Sequence, residues 1–155
     1  MHTFAALKGI VRGARDGRLT AADCRLLVCA HLVQTLALAA VVCAPILTAR
    51  KALATIRRGA IALCGPCEEP RLIWAIEASA RWRVGPSTCL ARALAAELLL
   101  PAVDRPLTLV IGVTSPVEGH LKSHAWIERN GHILIGGADA TRQYVPLVAW
   151  ISATP

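Results

Sequence analysis

Aromatic side chains are scarce in this chain: one Phe, one Tyr and four Trp make up 4% of its residues. That scarcity argues against one functional class. Single-stranded nucleic acid is usually held by basic stretches interleaved with stacking aromatics, and no such stretch occurs here. Acidic residues are also few, 10 Asp+Glu against 17 Lys+Arg, for a formal net charge of +7. A basic surplus permits contact with nucleic acid or an anionic membrane but demands neither, and no nucleic-acid partner is expected. Met1–Arg18 has no apolar h-region and no small-residue cleavage site. The sequence therefore predicts no signal peptide, and the cytoplasm is the default address. There is no second Cys-x-x-Cys pair to complete a four-ligand zinc site, so neither metal nor cofactor is expected.

Aliphatic side chain is what the chain has in quantity. It is 55% hydrophobic and 17% charged over 155 residues, enough for one domain with a sizeable core. Six cysteines (Cys24, Cys29, Cys43, Cys64, Cys67 and Cys89) all fall in the first 89 residues, with Cys29 and Cys43 inside one apolar segment. This does not resemble a secreted disulfide framework.

The N-terminal half reads as helix. Met1–Gly17 is short, basic and mildly amphipathic, with Phe4, Leu7, Ile10 and Val11 at helical spacing. Thr20 followed by Asp23 has the pattern of a capping box. Beyond it an apolar segment runs from Leu26 to Leu47, interrupted by His31, Gln34, Thr35 and Pro45. Its length suits a bilayer span, with Arg50, Lys51, Arg57 and Arg58 as a flank. The polar interruptions favour a core or interface helix instead, with His31 a satisfied core histidine. Thr48–Ala62 continues as a basic helix whose charges form either a solvated face or a surface for an acidic partner.

Cys64-Gly65-Pro66-Cys67 is, taken alone, the active-site pattern of thioredoxin-like oxidoreductases. Its surroundings argue for a Gly-Pro turn: what precedes it reads as helix rather than strand, and Glu68 and Glu69 oppose thiolate formation.

Chemistry concentrates in the second half. Arg71–Arg83 reads as a helix, and Gly85-Pro86 then turns the chain into a second one. There Ser87 or Thr88 caps, Cys89 sits in the first turn, and Pro101 stops the run. A thiol at a helix N-terminus feels the positive end of the dipole, which raises its thiolate fraction. Leu107–Val113 predicts a buried strand, Leu121–Arg129 and His132–Ile135 two more, and Asn130-Gly131 the hairpin turn between them. Tyr144–Ile151 is a packing segment or a last strand, which Pro146 would confine to an edge. Strand alternation places His124, Trp126 and Glu128 on one face. A cysteine on a helix start and a histidine on a strand suit a thiol hydrolase, the imidazole accepting the thiol proton and a third group holding the ring.

Thr88-Cys89-Leu90-Ala91-Arg92-Ala93-Leu94-Ala95, Ile111-Gly112-Val113 and Ser123-His124-Ala125-Trp126-Ile127-Glu128-Arg129-Asn130-Gly131 together resemble the lasso-peptide leader peptidases. These are the B proteins of lasso-peptide biosynthesis, with a transglutaminase-like cysteine protease fold; the likeness runs from about Leu72 to Leu147. It implies an α+β chain with a helical N-terminal region (1–70) packed on a transglutaminase-like, papain-like core (71–155), forming one compact domain overall. It also implies a peptidase that cuts the leader from a ribosomally made precursor, with Cys89 as nucleophile and His124 as general base. For the third member the superfamily places an Asp at the end of the next strand, where this chain has Gly136-Gly137 and then Asp139. Either Asp139 reaches back, or a backbone carbonyl serves, or the pair works as a dyad. The resemblance further implies a separate leader-binding protein and an ATP-dependent cyclase as partners, with the apolar segment 26–47 and the basic surface as docking candidates for these or a membrane. Two other readings compete: a thiol-disulfide oxidoreductase using Cys64 and Cys67, and a non-catalytic membrane or scaffold subunit.

Overall fold

The computed structural model of the chain describes residues 19–81, 88–101, 106–114, 121–137 and 140–152. The helix expected over Met1–Gly17, the turn at Gly85-Pro86, the cap at Ser87 and the position of Asp139 lie outside the described residues.

Helix α1 (Ala21–Cys43) starts where the capping box predicts: Thr20 Oγ1 accepts from the Asp23 N–H at 3.2 Å, and Asp23 accepts from the Thr20 N–H at 2.9 Å. Arg71 from a later helix donates to the same carboxylate at 2.8 Å, so the cap also fastens a tertiary contact. The apolar run Leu26–Leu47 is not one helix. A residue preceding proline is pushed out of the helical region, and Ala44, before Pro45, is extended at φ −149° and ψ 156°. The chain then turns back as α2 (Ile46–Cys64).

The two helices form a hairpin that packs on α3 (Glu69–Ala80) and α4 (Thr88–Leu99). Gln34, a polar interruption in the sequence, is fully buried, and its amide donates to Ile76 O at 3.0 Å and Ser79 Oγ at 2.6 Å. It joins α1 to α3, because a buried amide must find partners inside the protein. Two of the arginines expected on a solvated face turn inward. Arg50 pairs with Glu97 of α4, and Arg57 donates to Leu100 O at 3.0 Å. Alone among the described helices, α1 is long and apolar enough to cross a membrane; 39% of its most apolar window is buried here. Val28, Leu32 and Leu36, at four-residue spacing, lie on its exposed side.

The hairpin also corrects the reading of the cysteines. Folding α1 and α2 back about Pro45 sets Cys29 opposite Cys64, with Cα atoms 5.6 Å apart and the sulfurs bonded. Sequence patterning alone carries no sign of this bridge, which depends on the hairpin. Cys64 therefore pairs with Cys29 and not with Cys67, and it closes a helix instead of opening one. Gly65, at φ +71°, makes the expected turn.

The second layer is an antiparallel sheet of β1 (Thr108–Val113), β2 (Ser123–Arg129), β3 (His132–Ile135) and β4 (Val145–Ile151), in the order β3-β2-β1-β4. A short helix, α5 (Ala140–Gln143), precedes β4. Asn130 and Gly131, both at positive φ (52° and 75°), make the β2–β3 turn. Pro146 sits on the edge strand β4, where its missing N–H breaks no central ladder.

Helix α4 is the centre of the molecule. Ala91, Ala93, Leu94, Ala95, Ala96 and Leu98 are all buried, covering several sides of the helix. It lies against α1, α2 and α3 on one side and β2 on the other. Small alanines let these elements approach closely, and each buried leucine contributes about 2 kcal/mol of apolar transfer. One continuous core runs from Leu26 in α1 to Ile127 and Ile135 in the sheet, while Trp126 packs on the opposite sheet face with Val110 and Ala140. The architecture is α+β: helices followed by an antiparallel sheet, with a cysteine-bearing helix between.

Candidate active site

Cys89 is the second residue of α4, and His124 is the second residue of β2. The packing of α4 on β2 brings them together, and the thiol and imidazole are hydrogen-bonded. The other ring nitrogen, Nε2, lies 2.7 Å from the carbonyl oxygen of Gly136. A carbonyl only accepts, so Nε2 carries the hydrogen and Nδ1 is left with its lone pair for the thiol. That is the tautomer a general base needs.

Electrostatics follow from this geometry. The His124 hydrogen bond pulls the Cys89 pKa below its ordinary 9.0; burial opposes, and the backbone N–H groups of Ala125 and Leu90 and the imidazole charge assist. His124 is raised above 6.5, first by Cys89, against burial, and then by the Gly136 carbonyl and the thiolate charge, with Arg92 pulling the other way. Each group favours the charged form of the other, the condition for a thiolate–imidazolium pair.

The ring is further held by its neighbours. Tyr144 stacks on it at 5.0 Å between centroids and Trp126 at 6.3 Å. A cleft of about 390 Å³ opens beside the pair, lined by Glu77, Ala80, Arg81, Cys89, Arg92 and His124.

Gly136 occupies the strand end where the sequence comparison leads one to look for a carboxylate. Its φ is +116°, and a Cβ there would lie 2.4 Å from the Cβ of Trp126. Only glycine fits. Of the three site residues expected from sequence, Cys89 and His124 are brought together, and Asp139 lies outside the described residues. Sequence reasoning left a backbone carbonyl open as the third group without choosing it. It missed Glu77, Arg92 and Tyr144. Arg92 lies one turn beyond Cys89, a spacing visible in the sequence, whereas Glu77 and Tyr144 carry no local signal.

Cys67, by contrast, is exposed, and its thiol is pushed above 9.0 by partial burial, against the charges of Arg71 and Arg25. With Cys64 bonded to Cys29, the Cys64-x-x-Cys67 pair does not have the geometry of a dithiol redox centre.

A cysteine-bearing helix packed on an antiparallel sheet that sets a histidine beside the thiol gives an α+β protein consistent with a transglutaminase-like core. The family model described as Transglutaminase-like superfamily matches residues 26–149, and the chain belongs to that superfamily, whose members are typically cysteine proteases or transferases. It matches no curated protein and no solved structure.

Proposed function

We propose that this chain is a cysteine peptidase that removes the leader from a ribosomally synthesised lasso-peptide precursor. The observation that carries the reading is the Cys89–His124 hydrogen bond, with the imidazole held in the base tautomer by Gly136. The motif resemblance around Cys89 and His124 supplies the substrate class.

In this mechanism the Cys89 thiolate attacks the carbonyl carbon of the last leader residue. The oxyanion that forms is met by backbone N–H groups at the start of α4, the Cys89 amide among them. Imidazolium His124 gives its proton to the departing amine, which frees the N-terminus of the core peptide and leaves a thioester on Cys89. His124, now neutral, takes a proton from water, the hydroxide attacks the thioester, and the leader leaves as a carboxylate. Gly136 holds the ring through both halves, the role a carboxylate plays in a triad.

Leader recognition belongs, in this reading, to a separate leader-binding protein, and the freed core passes to a cyclase. The exposed apolar side of α1 and the basic α2 are the surfaces offered to those partners or to a membrane. The test is cleavage of precursor in the presence of the leader-binding protein, followed by mass spectrometry. Cys89→Ala is expected to abolish it; cleavage at the original rate would refute the assignment and favour a scaffold role.

A further inference from the structure

Nothing in the Cys89–His124 pair itself explains why Gly136 stays where His124 needs it. Gly136 lies just past the end of β3, at a positive φ, beyond the last paired residue of that strand, Ile135. A hydrogen bond from outside the sheet reaches it: the Gly136 N–H donates to Glu77 Oε1 at 3.4 Å. The other oxygen of Glu77 accepts from Arg92 Nη1 at 2.9 Å. Arg92 in turn lies one helical turn beyond Cys89. A closed path thus runs from Cys89 along α4 to Arg92, across to Glu77 in α3, on to Gly136, and through its carbonyl to His124.

We propose that Glu77 is the positioning residue for His124: it holds Gly136 so that the glycine carbonyl meets Nε2–H, and it offsets the charge that Arg92 presents to the imidazole. One carboxylate thereby acts on the histidine at one remove, through a backbone group, in a chain whose strand end bears glycine. The chemistry is sound on two counts. A backbone unit fastened at its N–H presents its carbonyl in a fixed direction. A guanidinium beside a nascent imidazolium is unfavourable unless an anion intervenes. Among the described residues, the groups facing His124 are Cys89 and Arg92 from α4, Glu77 from α3 and Arg81 at its C-cap, Tyr144 ahead of β4, and Trp126, which itself donates to Glu128 at 3.3 Å. Among these, Glu77 is the acidic group that reaches both Gly136 and Arg92.

The inference rests on the Cys89–His124 pairing and not on the identity of the substrate, so its test reads the pair directly. In the full chain carrying Cys24→Ser, Cys43→Ser and Cys67→Ser, Cys89 is the remaining free thiol. Two profiles are followed against pH: the rate of Cys89 alkylation by iodoacetamide, and the ring ¹⁵N shifts of His124. Glu77→Ala should lower the pH at which His124 loses its imidazolium proton by about one unit. It should also slow alkylation near pH 7 several-fold and replace the single Nε2–H tautomer by a mixture. Glu77→Gln keeps an acceptor for the Gly136 N–H but drops the charge, so the tautomer should persist while the titration still falls. A folded Glu77→Ala chain with unchanged titration and tautomer overturns the proposal. Should that variant fail to fold, an unchanged titration in the isosteric Glu77→Gln overturns it equally. A chain showing these shifts but never cutting precursor would refute the peptidase reading and leave the role of Glu77 standing.

Discussion

Cys89 and Cys67 are the same residue in two settings, and their thiols move in opposite directions. Cys67 follows the C-terminal end of α2, exposed, where partial burial outweighs the charges of Arg71 and Arg25. Cys89 sits in the first turn of α4, more buried, yet its thiol is lowered because a histidine and two backbone N–H groups are directed at the sulfur. Burial alone raises a thiol pKa, while burial with organised donors lowers it. The helix dipole also favours negative charge in the first turn of α4, where Cys89 stands. The Cys-Gly-Pro-Cys pattern therefore holds the thiol whose pKa is raised, and Cys89, in the first turn of α4, the one whose pKa is lowered.

The sharpest way to break this contrast is to remove the base. His124→Ala should abolish precursor cleavage, a loss on the order of a thousand-fold or more, and bring Cys89 alkylation towards that of Cys67. Measuring both thiols by mass spectrometry after timed alkylation checks this; a persistent gap would mean that the helix start, not His124, activates Cys89.

The pH dependence separates the two thiols next. Reactivity of Cys89 should rise as pH passes its lowered pKa, below 9.0, whereas Cys67 should respond only above 9.0. Peptidase activity should in addition fall as pH rises through the elevated His124 pKa, above 6.5, because the leaving amine then lacks its proton donor. A single sigmoid covering both thiols in the alkylation profile would contradict the assignment.

Backbone geometry gives the third test. Gly136→Ala forces a Cβ onto Trp126 at a φ of +116°, which should destabilise the chain by about 3 kcal/mol and displace the carbonyl that orients His124. Urea unfolding measures the first effect and the His124 ring tautomer the second. Breaking the bridge with Cys29→Ala should cost about 2–4 kcal/mol, by freeing the intervening loop in the unfolded state, but leave Cys89 alkylation of the folded chain unchanged.

The smallest expected effect lies farthest from the site. Burial works against the Asp23 charge, but its bonds to Thr20 and Arg71 hold the carboxyl below its ordinary 3.8. A lowered carboxyl contributes stability that is present above the unfolded value and lost as pH falls through the folded one. Asp23→Asn should therefore flatten the acid limb of the stability–pH curve below about pH 4, and Thr20→Ala should cost about 1 kcal/mol near neutrality. Thermal melts across that range measure both.

Features with a short sequence span were readable before any fold was known. The Thr20–Asp23 box, the Asn130-Gly131 turn, the alternation of Trp126 with Ile127 and the edge placement of Pro146 each depend on residues within one turn or one pleat. The apolar run Leu26–Leu47 reads as a continuous helix on hydropathy, and the structure breaks it where Pro45 pushes Ala44 out of the helical region. The inward turn of Arg50 and Arg57 has no local signal because their partners, Glu97 in α4 and Leu100 O just past its end, are more than forty residues away along the chain.

By itself the sequence determined where Cys89 stands: helix formers from Cys89 to Leu100, ended by Pro101, put it at an N-terminus, and the β-branched run and hairpin put His124 on a strand. Those are local choices of φ and ψ. Only the tertiary structure decided that Cys64 bonds to Cys29, that the Gly136 carbonyl meets His124, and that Glu77 reaches Gly136. Each of these joins groups more than ten residues apart, and a distance that long along the chain is closed by packing the shared core, not by any propensity of the residues that meet.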